Sequence, residues 1–388
     1  MAVRREIAGR KVELLRSLRQ ASQNGTWVAG DMVPTTRELA QQYGVSVRVV
    51  TQELQKLVEE GVLHTIPRVG TFVGRQFPTA SEFYLMLVPS QDNKTDTIRQ
   101  VQIGFEERVA ALGAASVVMP LDMALAHRNR GELPAFSGVF DFAYFPGDET
   151  HWEAVPDVPL VGFSTPGAPS VPLDKAHSDV VRFDDIDGGR QATQHLLRLG
   201  HRRIAFLGLH GAQKSSGLYF WSLQRESGWC EVMQEAGHNT QGLNFHPQSE
   251  PVLQLHHLDR AEEMQVARET ARALVRDSDI SAVIAANDYA ALGLFEALRE
   301  AKIPDERWPS VVGFDDLPQT QSYVLTSLRL PWEEIGKSAV DLLWERKNGQ
   351  LTGASQERRV RMRLLSRLTS RQNWTQGTNH AALAASLG

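Results

Sequence analysis

Cysteine is almost missing from these 388 residues, with Cys230 alone. That excludes an intramolecular disulfide and any multi-cysteine zinc site. Long apolar runs are missing too: no stretch approaches the roughly 18 consecutive apolar residues of a membrane span. The opening MAVRREIAGRKVELL scatters charge where a secretory leader would hold an apolar core. The expectation is a cytoplasmic protein with no membrane partner. Catalytic signatures are absent as well: no Walker loop, no Gly-x-Ser-x-Gly elbow and no His-Glu-x-x-His. The GLHGAQ segment lacks the third glycine of a dinucleotide fingerprint. Adjacent carboxylates, Asp184-Asp185 and Asp315-Asp316, would point to opposite sides of a strand. No enzyme and no cofactor are expected. No metal site is expected either, because His256-His257 has no third ligand at suitable spacing.

What is present suggests a chain of two parts. Its length suits two or three folding units, and 42% hydrophobic residues is an ordinary globular content. The net charge of −5 hides an asymmetry. Residues 1–75 hold 11 Lys/Arg against 7 Asp/Glu, while the remainder holds 30 against 39. A small basic unit on a larger acidic one confines contact with nucleic acid to the first. The charge signal is mild, and the helix faces carry more weight.

Residues 4–23 place Ile7, Leu14, Leu15 and Leu18 among charges, as in a surface helix with one buried stripe. Thr35 or Thr36 can N-cap the next helix with Glu38 as the reciprocal capping residue, and Gly44 stops it. Ser46 can cap a third helix. Its Val50, Leu54, Leu57 and Val58 share one face, while Arg48, Thr51, Gln52 and Gln55 lie opposite. VLHTIPRVGTFV then reads as two short strands around a turn. A buried aliphatic face backing an exposed Arg/Thr/Gln face, after a short helix and a glycine turn, suits a recognition helix in a major groove.

This front end resembles the GntR family of winged helices over about residues 5–74, through GDMVPTTRELA, YGVS, EEGVL and GTFV. The resemblance implies DNA contacts from Thr35, Thr36, Arg37, Ser46, Arg48, Thr51, Gln52 and the wing residue Arg68. Two departures stand out. The arginine that usually follows the serine is displaced to Arg48, and Arg68 stands where the family more often has glycine.

The body is read from three motifs. VRFDDIDGGRQATQHLLRLGHRRIAFLG, residues 181–208, reads as a helix opened by Gly188-Gly189, carrying Ala192, Leu196 and Leu199, and ended by Gly200. Ile204 to Leu207 follows as a strand covered on both faces. SAVIAANDYAALGLFEALREAKIP and SVVGFDDLPQT each place polar residues where a strand ends, which is where doubly wound domains bind ligands. Together the motifs resemble the LacI/GalR effector domain over about residues 82–370, with Asp185 where that family usually has Asn. A GntR-type head on such a sensor resembles the arabinose-responsive repressors of mixed architecture. No internal repeat is found, and the LacI hinge helix is absent.

The expected fold is thus an N-terminal winged helix-turn-helix (α+β) plus a two-lobed, doubly wound α/β domain of the periplasmic-binding-protein-like type. Residues 1–75 are the head, 76–81 a linker, 82–370 the sensor and 371–388 a disordered tail. Further strands are expected at 136–145 and 158–163, a covering helix at 100–112, and a loop at 164–180. The second lobe begins near 190. The resemblance implies a return of Ile335, Ala339 and Leu342 to the first lobe, then a final crossing that puts 358–370 on the second.

Six residues are expected to hold an effector, each with a plainer alternative. Arg225 matches the family's Arg-x-x-Gly-Phe pattern, here ending Gly228-Trp229, yet could be an exposed helix arginine. Asn287 suits adjacent hydroxyls or a helix N-cap. Asp315 ends its strand as a hydroxyl acceptor or a turn aspartate, whereas Asp288 caps the following helix. Trp221 and Trp332 suit sugar faces or ordinary packing. Ser90, with Gln91, ends the first strand. Leu330 replaces a frequent glutamine, removing one polar contact. The overall expectation is a repressor that binds a palindromic DNA operator as a homodimer under control of a small carbohydrate. The alternatives are a purine- or nucleoside-sensing regulator, and a cytosolic sugar-binding protein or enzyme.

Overall fold

The computed structural model describes residues 13, 16–18, 31–60, 62–66, 70–73, 82–90, 96–130, 133, 135–143, 158–163, 179–210, 220–247 and 260–373. Arg68, Gln91, His256, His257, the linker 76–81 and the tail from 374 lie outside them.

In the head, α1 (Thr36–Tyr43) is capped by Thr35. The Thr35 hydroxyl accepts from the Glu38 amide while Glu38 reaches back to the Thr35 amide. Gly44 ends the helix at φ 60°, the left-handed position that glycine adopts without a Cβ penalty. Ser46 caps α2 (Val47–Glu59), which buries Val50, Leu54 and Leu57. These pack with Leu18, Val33, Leu39, Leu63 and Val73 into one small core. Strands β1 (Leu63–Ile66) and β2 (Gly70–Val73) pair antiparallel, as a winged helix requires.

The first lobe holds β3 (Phe83–Val88), α3 (Asp96–Ala111), β4 (Ala115–Pro120), α4 (Leu121–Asn129), β5 (Gly138–Asp141), β6 (Leu160–Phe163) and β7 (Asp179–Phe183). The second holds α5 (Asp185–Arg198), β8 (Ile204–Leu207), α6 (Phe220–Glu235), β9 (Asn244–Phe245), α7 (Arg260–Leu274), β10 (Ala282–Ala285), α8 (Asp288–Glu300), β11 (Ser310–Asp315) and β12 (Thr326–Arg329). Then α9 (Trp332–Lys347) returns to the first lobe, and β13 (Glu357–Val360) and β14 (Arg363–Leu365) close the chain. The sheets run β13-β7-β6-β5-β3-β4 and β14-β12-β11-β10-β8-β9, parallel throughout except for β14. Central strands such as β8 and β10 are buried along their whole length, which is why they read as unbroken apolar runs. Ile335, Ala339 and Leu342 of α9 are buried in the large core cluster with Val101, Phe105 and Val109 of α3.

Three expectations need correction. Gly188 and Gly189 do not open a helix: α5 starts earlier, capped by the Asp184 carboxylate, and both glycines lie inside it. They serve packing, since a Cβ on Gly189 would run into the Arg225 carbonyl of α6. Residues 358–370 do not all sit on the second lobe. β13 pairs with β7 of the first, and the crossing falls at Arg361 and Met362. Asp179–Phe183 is a strand, its inner residues alternating with half-buried ones.

The head touches the first lobe. Phe72 of β2 is buried in one cluster with Leu85, Leu87, Val117 and Met119, with Met32 packed against it. Asp31 also bridges to Val118 on the edge strand β4. Among the described residues no helix is long and apolar enough to cross a membrane.

Candidate functional site

The head presents one polar helix face. Arg48, Thr51, Gln52 and Gln55 of α2 are exposed, opposite the buried aliphatic row. The Thr51 hydroxyl donates to the Val47 carbonyl (2.9 Å), leaving its methyl and lone pairs outward. The Ser46 Oγ accepts from the Val49 amide (3.4 Å). Arg37 is exposed in the first turn of α1 beside the half-buried Thr36, and Thr35 is held in its capping box. Arg48, Thr51 and Gln52 thus lie along one helix face where they can meet base edges or phosphates, with Arg37 a second exposed cation on α1.

The second candidate lies at the carboxyl edge of the second-lobe sheet. Arg225, on the second turn of α6, is 3% exposed and Asp185, the first residue of α5, is 2%. Arg225 Nε donates to Asp185 Oδ1 (2.8 Å) and Nη1 to the Ala286 carbonyl at the end of β10 (2.7 Å). Its guanidinium lies between the rings of Trp221 (4.6 Å) and Phe314 (4.3 Å). The guanidinium is thus clamped, charged and aromatic-flanked, with Nη2 unpartnered among the described residues. Burial pushes the Asp185 carboxyl up, and Arg225 holds it back.

Asn287 follows Ala286, whose carbonyl accepts from Arg225. Asn287 caps α8, its Oδ1 accepting from the Ala290 amide (2.8 Å), while Nδ2 donates to Glu263 (2.9 Å). Asp315 follows Phe314 with φ 105°, and Asp316 follows at φ 60°. Two consecutive non-glycine residues with positive φ mark a sharp, strained strand end. Asp316 is anchored by Arg367 (2.6 Å) and Arg329. Asp288 is not the helix cap. It is fully buried and accepts from the Leu317 amide and the Ser327 hydroxyl, both at 2.8 Å, so it ties down the loop after β11. Burial and then the charge of Asp315 push its carboxyl up to about 8.

From the first-lobe side, Trp332 opens α9 inside an aromatic cluster, 4.7 Å from Phe183 and 5.7 Å from Phe163. Ser90 is exposed just past β3, its Oγ accepting from the Asp122 amide (3.0 Å). Trp221 stacks on Arg225, while Asn287 and Asp315 each directly follow a residue that Arg225 touches. Asp185 and Phe314, the clamp's other half, were not among the expected residues. The unusual aspartate in the DDIDGG motif was the available signal.

A model of the gntR family of bacterial regulatory proteins matches residues 11–73. A periplasmic binding protein-like domain model matches residues 193–370. The chain is 26% identical over 367 residues to the arabinose metabolism transcriptional repressor of Geobacillus stearothermophilus, covering 82% of this chain and 86% of that one. It is 28% identical over 209 residues to the transcriptional repressor PurR of Haemophilus influenzae, of which it spans about half, 56%. Among solved structures, the complex of the transcriptional regulator CelR with cellobiose aligns at a TM-score of 0.53 and 21% identity, over 86% of this chain and 99% of that one. At that identity the likeness speaks for the fold. The chain thus joins an N-terminal GntR helix-turn-helix domain to a two-lobed periplasmic-binding-protein-like domain, the build of a transcriptional regulator.

Proposed function

We propose that this chain is a cytoplasmic, non-enzymatic repressor that binds a two-fold symmetric operator as a homodimer and responds to a small carbohydrate. The head would end near residue 75 and the sensor span 82–370. One observation carries the effector half of the reading. The clamped Arg225 guanidinium sits at the sheet edge where α/β domains take ligands, stacked on Phe314, the residue before Asp315. A planar cation with a donor to spare, flanked by aromatic rings, matches a ring of hydroxyls and C–H faces, and Asp315 would add a carboxylate acceptor. Trp332 and Ser90 would close on the ligand from the first lobe. Arg48, Thr51 and Gln52 would read the operator, with Arg37 on phosphate and Arg68 in the minor groove. Helix α3 and the β10–α8 segment would form the two-fold interface. The similarity to an arabinose repressor supports a pentose as the first candidate.

The test is calorimetric titration with pentoses, hexoses, disaccharides and nucleosides, followed by gel shifts with the ligand that binds. One carbohydrate binding at one site per chain and changing operator affinity is the expected result. Arg225→Ala and Asp315→Ala should each abolish that response, since a site built on buried hydrogen bonds loses about 1–3 kcal/mol per unpaired group. If both variants still respond at the wild-type sugar concentration, the ligand sits elsewhere. Binding of nucleosides alone would replace the carbohydrate with a purine.

A further inference from the structure

Away from the Arg225 clamp, three side chains meet over the end of the second-lobe sheet. His210 lies just past β8 and His246 directly follows β9, and these strands are parallel neighbours. Glu226 reaches them from α6. His210 Nε2 is 3.0 Å from Glu226 Oε2, and His246 Nε2 is 3.2 Å from Glu226 Oε1. One ligand atom from each residue falls within 4.8 Å of the others. His210 is 2% exposed and Glu226 6%.

The cluster is close without being satisfied. Although His210 Nε2 and Glu226 Oε2 are at hydrogen-bond distance, neither makes an aligned hydrogen bond among the described residues. Two buried polar atoms facing each other without a bond call for something between them. A second shell is in place around His210 and Glu226, while His246 Nδ1 has no partner among the described residues. Ser222 Oγ lies 2.9 Å from His210 Nδ1, a bond that leaves the Nε2 lone pair toward the centre when Nδ1 carries the proton. Asn244 Nδ2 donates to Glu226 Oε1 (3.1 Å) and steadies the carboxylate. The spacing also fits. Four-coordinate zinc with bonds of about 2.0–2.1 Å sets neighbouring ligand atoms about 3.3 Å apart, and the two imidazole nitrogens lie 3.0 and 3.2 Å from the carboxylate, each facing a different oxygen of it.

We infer that His210, Glu226 and His246 form a three-ligand site for a divalent transition metal, zinc first, with the remaining position taken by water. Two imidazoles and one carboxylate favour such an ion over calcium or magnesium, which prefer all-oxygen shells. The role is structural: the ion ties the ends of β8 and β9 to α6. It needs none of the regulatory reading above and can fail or hold without it.

The experiment uses the full chain, stripped by chelator dialysis and titrated with Co²⁺ while visible absorption is followed. One saturable equivalent, with bands of low-symmetry nitrogen/oxygen coordination that Zn²⁺ abolishes, is the expected result. Glu226→Gln and His246→Gln should each weaken Zn²⁺ binding at least 100-fold. Should either variant lose its circular-dichroism signature, Ser222→Ala decides. It keeps all three ligands and removes the bond that orients His210, together with the acceptor of the Leu209 amide, so affinity should fall 10–100-fold. No saturable binding, or binding indifferent to all three substitutions, overturns the site.

Discussion

Replacing Asp185 by alanine strands a guanidinium. Arg225 stays charged at any pH a protein survives, is buried, and loses its only carboxylate at 2.8 Å. The Ala286 carbonyl remains, but a dipole does not replace a charge. Removing one partner of a buried pair costs about 3–5 kcal/mol, and the variant lacks the raised Asp185 carboxyl, so it should show no slope from that group between pH 5 and 8. Arg225→Met is the informative opposite. It fills much of the gap between Trp221 and Phe314 and strands Asp185 instead, a group that can neutralise itself. Burial already pushes that carboxyl up, and losing Arg225 removes what holds it back. Its folded-state value then lies further above the unfolded one, so stability is retained in acid and declines by about 1.4 kcal/mol per pH unit between the unfolded and the folded value, levelling off above the latter. The two variants should thus differ in slope as well as size, measured by urea unfolding on tryptophan fluorescence at pH 5 and pH 8 against wild type. An Asp185→Ala cost below about 1 kcal/mol, or an Arg225→Met cost equal at both pH values, would show that the pair does not hold as described.

Further outcomes are expected elsewhere. Arg48→Ala should weaken operator binding by about 1–3 kcal/mol if it reads a guanine, whereas a phosphate contact would lower specific and non-specific binding together. An unchanged gel shift would misplace the recognition helix. Gly189→Ala should force α5 from α6, because its methyl would meet the Arg225 carbonyl. A loss of about 1–3 kcal/mol in calorimetric stability is expected, and an unaltered melting temperature would refute the contact. Asp288, pushed up to about 8 from 3.8, makes the native state hold a proton that the unfolded chain releases. Stability should therefore fall between about pH 4 and pH 8. Asp315→Asn, by removing the neighbouring charge, should flatten that fall in parallel denaturation curves, and identical slopes would exclude the coupling.

What could be read in advance was local chemistry. The Thr35–Glu38 box, the Ser46 cap and the Gly44 stop act within a few residues and appear as written. Fully covered strands such as Ile204–Leu207 betray themselves by unbroken apolarity. Glycine was ambiguous: Gly188-Gly189 looks like a turn because glycine costs a helix about 1 kcal/mol each, a cost that close α5–α6 packing offsets. β13 is hidden by its charge, since Glu357 lies at 2.6 Å from Arg182 of its neighbour. Asn287 is the cap and Asp288 the loop anchor, a choice only β11 and β12 reveal. The Asp185–Arg225 pair spans 40 positions, and His210, Glu226 and His246 lie on three elements with no spacing rule to announce them.

Phe72 belongs by chain to the winged head and by packing to the first lobe, with Leu85, Leu87, Val117 and Met119. A cut at residue 75 therefore severs no covalent element but opens a shared hydrophobic surface on both pieces. Each fragment would carry a sticky patch, the head a bare ring and the lobe a bare strand edge near Val118. Anyone excising the head to study DNA binding in isolation should meet aggregation or weakened folding first, and trimming the cut by a few residues will not cure it. The seam to respect in this molecule is drawn by that one aromatic ring rather than by the order of residues along the chain.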